Sequence, residues 1–124
     1  MGEEQIQFNI LFRRPKYPVI IISSDELSSA YDLDQLAAHC FFSEPFDNEI
    51  FVKVIDSTGE EFWYSPEHVT LSPGMAFKKW TKKQIIELYN NSPNAKENKN
   101  SYPIKSLSNK RLSSIISDIC ELLL

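Results

Sequence analysis

The residues EIFVKVIDSTGEEFWYS, at positions 49–65, constrain the fold most, because side-chain type there dictates both pairing and register. Asp56, Ser57, Thr58 and Gly59 are a turn signal: Asp favours the first position, and Gly accepts the left-handed conformation that closes a three-residue loop. With 57–59 as the loop, Asp56 pairs with Glu60, Val54 with Phe62 and Val52 with Tyr64. Ile50, Val52, Val54, Phe62 and Tyr64 then share one face, since strand side chains alternate. A two-residue loop would set Val54 against Glu61 and mix the faces. The other face carries Phe51, Lys53, Ile55, Glu61 and Trp63, a mixture expected of a surface or partly covered sheet face.

Upstream, Ile6, Phe8, Ile10 and Phe12 alternate with other residues and predict a half-buried strand. Pro15 and Pro18 mark a turn, and Val19, Ile20, Ile21 and Ile22 predict a short central strand, apolar on both sides. The Ser-rich stretch 23–31 is expected to be a loop or one irregular turn. Asp32, with Gln35 three residues on, then caps a helix whose core stripe is Leu33, Leu36, Ala37, Cys40 and Phe41. After the hairpin, residues 68–71 are a candidate fifth strand. Thr81 and Gln84 form a second capping box, opening a helix to about Tyr89. Residues 90–105 are polar and Pro-containing and are expected to be a mobile connector. From Asn109 onward, Leu112, Ile115, Ile116, Ile119, Cys120 and Leu123 hold a helical period to the end.

These elements predict a single α+β domain over 1–124, with a mostly antiparallel sheet of four to five strands and about three helices on one face. A chain of 124 residues can bury a core without covalent staples. The first residues match neither a signal peptide nor a myristoylation pattern, and no apolar run approaches a membrane span, so a soluble cytoplasmic protein is expected. Cys40 and Cys120 fall on apolar helix faces and are expected to be buried reduced thiols.

The formal net charge of −4 hides a strong polarity. Residues 19–67 hold eleven acidic side chains against Lys53 alone, whereas residues 68–124 hold nine basic and four acidic ones. Asp25, Glu26, Glu44, Asp47, Glu49, Asp56, Glu60 and Glu61, mixed with Phe51 and Trp63, form a candidate docking surface for a basic protein: charge steers the encounter and aromatics anchor it. Solubility alone would explain many of these carboxylates. The second anomaly is Lys78, Lys79, Trp80, Lys82 and Lys83, with two lysines at a helix start where the macrodipole disfavours cations. Pairing with the acidic loops would compensate them, and so would a phosphate or nucleic acid with Trp80 as a stacking platform.

No catalytic pattern emerges from the residues. His39 and Cys40 are adjacent on a helix and point about 100° apart, so they cannot act as base and nucleophile on one another. Two His and two Cys lack zinc spacing, and three glycines build no phosphate loop, so neither metal nor cofactor is expected. In size, acidity, single-domain α+β character and lack of a catalytic motif, the chain resembles bacterial toxin-immunity proteins, including those of contact-dependent inhibition systems. That resemblance implies a non-enzymatic cytoplasmic inhibitor that binds a cognate toxin domain, often a basic nuclease. The alternatives are an anion- or nucleic-acid-contacting protein acting through residues 78–83 and a small-ligand-binding domain.

Overall fold

Backbone pairing follows the hairpin rule residue for residue. In the computed structural model, which describes residues 8–24, 26–45, 50–74, 79–98 and 101–124, β4 (Val52–Ile55) and β5 (Glu61–Ser65) pair Val52 with Tyr64 and Val54 with Phe62. Asp56 N–H donates to Glu60 C=O at 3.0 Å, and Gly59 takes φ +87°. Around this hairpin the described residues build one six-stranded sheet, ordered β1-β6-β5-β4-β2-β3, with β1 (Asn9–Ile10), β2 (Val19–Ile22), β3 (Leu27–Ala30) and β6 (Thr70–Pro73). All neighbours are antiparallel except β1 and β6, which run parallel. Five helices accompany the sheet among the described residues: α1 (Leu33–Phe42), α2 (Lys82–Asn90), α3 (Pro93–Asn98), α4 (Ser106–Asn109) and α5 (Leu112–Leu122). The fold is α+β as expected, but the sheet is larger and mixed rather than four or five antiparallel strands, and the helices number five rather than three.

The helices also divide between the two faces. Val19, Ile21, Ala30, Val52, Val54, Phe62, Tyr64 and Leu71 bury one face against Leu36 and Cys40 of α1. Ile20, Ile22, Leu27 and Ile55 bury the other against Ile85, Ile86 and Tyr89 of α2, Ala95 of α3, and Ile115, Ile116, Ile119 and Cys120 of α5. The unbroken apolar run of β2 is the local sign of this double burial. Because Cys40 and Cys120 lie on opposite faces, no disulfide can join them, and both are free thiols.

Three elements depart from their sequence patterns for separate reasons. The stretch 23–31, expected to be a loop, contains β3. Its small residues suit tight burial, for Ala30 is wholly buried and Ser29 donates its hydroxyl to Cys120 C=O at 3.1 Å. The first strand is short: Phe12 adopts φ +70° and is 90% exposed, which ends the alternation, while Ile6 lies outside the described residues. Residues 90–105 carry α3, and they bury Ala95 and Tyr102. Asn90 brackets Tyr102 there, accepting its N–H and donating to its C=O at 2.6 and 3.1 Å. The helix starts at Asp32 and Thr81 are capped as expected, Asp32 accepting Gln35 N–H and Thr81 completing a reciprocal box with Gln84. Among the described residues no helix is long and apolar enough to cross a membrane.

Candidate functional site

The hairpin tip is built into the domain. Asp56 is 2% exposed, and its carboxylate accepts hydrogen bonds from Thr58 N–H, the Thr58 hydroxyl, Glu60 N–H and Lys16 N–H. It organises its own turn and ties in the Pro15–Lys16 corner, whose Lys16 C=O accepts Ser57 N–H at 2.9 Å. Gly59 C=O accepts Trp80 N–H at 2.8 Å, bringing the segment before α2 against the tip. Glu60 is held by Arg13, whose Nε reaches both carboxylate oxygens at 3.1 and 2.8 Å and whose Nη2 also contacts Oε2.

Glu61 is more deeply committed. It is 3% exposed, with Oε2 accepting the Trp63 indole N–H at 2.6 Å and Oε1 accepting the Trp80 indole N–H at 2.9 Å. Phe51 stacks on Trp63 with ring centroids 5.3 Å apart, so the aromatics of this face pack on each other. Ile50, grouped with the buried face by alternation, lies just before β4 and is 73% exposed. The hairpin therefore spends Asp56, Glu60 and Glu61 on internal partners, which alternation along a strand cannot reveal.

The lysine patch resolves into separate environments. Lys82 donates to Leu107 C=O at 3.3 Å, and Lys83 approaches Glu87 one turn on at 4.0 Å. Lys79 is exposed and pairs its backbone with Glu60 in an isolated bridge. Trp80 is partly buried against the α2–α5 core as well as bonded to Glu61, so the fold fixes its ring in place. Lys78 lies outside the described residues, as do Asp25, Asp47 and Glu49.

The remaining acids gather elsewhere, beside β3. A groove of about 480 Å³ runs along the α3 and α5 side of this strand, lined by Leu27, Ser29, Asn94, Glu97 and Leu122 to Leu124. A second, of about 490 Å³, lies on the α1 side, lined by Ser23, Ser24, Ala38, Phe42, Ser43 and Glu44. Both also include Glu26, Ser28 and His39, so they form one trough that straddles the strand. Glu26, Glu44 and Glu97 are its carboxylates, and among the described residues no Lys or Arg lines either half. Phe42 and Leu124, 82% and 86% exposed, stand at its two sides as apolar rims.

Two of these acids, Glu26 and Glu44, belong to the acidic set that the sequence marks as a docking surface, as loop carboxylates flanking strand and helix. His39 and Glu97 carry no pattern that marks them as binding residues. The signal for Glu97 is the helix start: Ser92 accepts Ala95 N–H on its hydroxyl at 3.3 Å and Pro93 takes the first helical position, an arrangement written in the residues Ser92, Pro93 and Asn94.

Titration separates buried chemistry from this surface. Burial pushes both thiols up to about 12, so neither Cys40 nor Cys120 is a thiolate at neutral pH. Burial also pulls on Asp118, but hydrogen bonds from Lys110 at 2.6 Å and the Tyr102 hydroxyl at 2.7 Å outweigh it and hold its carboxyl below the usual range. Among the described residues no three His, Cys, Asp or Glu side chains are grouped to hold a metal ion. Comparison with protein-family models, with curated proteins and with solved structures finds no match to this chain.

Proposed function

We propose that the protein is a non-enzymatic binding module that holds a basic segment of another protein in the trough beside β3, in the manner of an immunity protein covering a cognate toxin domain. One observation carries the reading: Glu26, Glu44 and Glu97 line a trough that straddles a single strand, and no Lys or Arg among the described residues lines it. Carboxylates on concave walls focus a negative potential and speed the approach of a cationic partner. Exposed Phe42 and Leu124 supply apolar area at the rims, where a partner can gain affinity beyond charge. The hairpin acids play no part in this contact, since Asp56, Glu60 and Glu61 are already bonded inside the domain.

The test uses a short peptide alternating arginine and threonine as the probe. Affinity at low salt is expected to fall by about fivefold or more, roughly 1 kcal/mol, in the E26Q/E44Q double variant. It should also fall steeply with added salt in the unsubstituted protein. Equal affinity of the two proteins at low salt would reject the trough as the binding site.

A further inference from the structure

Among the described residues β3 is the last strand of the sheet, and its outer edge is closed by side chains rather than by another strand. Asn94 accepts Leu27 N–H on Oδ1 at 2.9 Å and donates from Nδ2 to Leu27 C=O at 3.1 Å. One amide thus satisfies the donor and acceptor that a neighbouring strand would take. Four residues along, Gln35 Oε1 accepts Tyr31 N–H at 2.8 Å. Antiparallel pairing turns alternate residues outward, so between these two caps Ser29 directs its amide and carbonyl to the same edge. Leu27 and Ser29 are only 5% and 7% exposed, and with Asn94 bonded to Leu27 a strand reaches this edge only once Asn94 and the start of α3 move off it.

We infer that Asn94 is a displaceable plug and that the basic segment taken by the trough adds to β3 as an extended strand, pairing with Leu27 and Ser29. This rests on the proposed function and specifies how the same site is used. Side chains of an added strand alternate from face to face, and the two halves of the trough lie on opposite sides of β3. Main-chain bonds to the edge would supply affinity, and each acid-lined half would favour Lys or Arg among the every-second side chains that enter it. Charge argues against a second copy in this place, because a second β3 laid along this edge would add its own Glu26, Glu44 and Glu97 to an edge already flanked by the same three carboxylates.

The experiment compares the alternating arginine–threonine peptide with a version N-methylated at every backbone amide, which keeps the charge and removes the strand donors from both of its edges. The inference predicts at least about a tenfold weaker complex for the methylated peptide, equivalent to about 1.4 kcal/mol. It further predicts slowed hydrogen exchange at the Ser29 amide with the unmodified peptide. In Asn94→Ala, provided its circular dichroism is unchanged, the unmodified peptide should bind several-fold more tightly. Equal binding of the two peptides, with E26Q/E44Q still impairing both, would overturn strand addition and leave the acidic trough standing. Absence of trough binding by either peptide would remove both readings. Ser29 protection through self-association without peptide would make a second copy the occupant and overturn the inference.

Discussion

Glu61 receives two indole N–H groups, one on each carboxylate oxygen, in a place where it is almost wholly buried. Replacing one oxygen by an amide NH2 sets a donor against a donor, and the amide cannot satisfy both indoles whichever way it is turned. E61Q is therefore expected to lose about 1–3 kcal/mol in denaturant unfolding. E26Q, on an exposed residue, should stay within about 0.5 kcal/mol of the parent. An equal effect of the two substitutions would contradict the division between structural and surface carboxylates. The buried thiols make a second residue-scale prediction. Their folded pKa values of about 12 exceed the ordinary thiol value, so the folded state keeps protons that the unfolded chain releases. Stability is then fully present below the ordinary thiol range and falls as pH rises from about 9 towards 12. Thermal melts in Cys40→Ala should show a shallower alkaline decline than the parent, and Ellman-type reagents should modify both thiols only on unfolding.

At the scale of elements, the hairpin is a hub. An added Cβ at Gly59 would stand 2.7 Å from Leu112 Cδ2 and 2.9 Å from Trp80 C=O, while φ is +87°. Gly59→Ala combines left-handed strain with overpacking and should cost about 2–4 kcal/mol, measured as a shift of the urea midpoint at unchanged slope. A loss below about 0.5 kcal/mol would mean that the tip is not packed under α5. Local rules made this element legible in the sequence, down to the pairing of Val52 with Tyr64, because turn chemistry and alternation act within a few residues. The caps at Asp32 and Thr81 were legible for the same reason. β3 was not, since Leu27, Ser28, Ser29 and Ala30 become a strand through pairing with β2 and burial under α5, which no local propensity encodes. Coverage of both sheet faces escaped in the same way: Ile55 and Glu61 read as a mixed face and prove to lie under long-range packing from α2, α5 and Trp80.

Across the whole molecule, charge polarity was visible in composition, but its use depends on the fold. Of the acidic candidates within the described residues, Asp56, Glu60 and Glu61 are consumed by turn, ion-pair and indole contacts, while Glu26 and Glu44 remain on the trough. Glu97, distant in sequence and from the basic half of the chain, joins them because Asn94 fastens α3 to the edge of β3. His39 adds an imidazole to the same trough. On the proposed function this trough, rather than the hairpin tip or the lysines before and within α2, meets a cationic partner segment. A heteronuclear NMR titration of the labelled protein with the arginine–threonine peptide, at low and at high salt, checks this choice of surface. Binding in the trough should give saturable shift changes centred on Glu26, Ser28, Ser29, His39, Glu44 and Glu97 that fade at high salt. Changes centred instead on Asp56, Glu60 and Glu61, or scattered evenly over the surface, would contradict it.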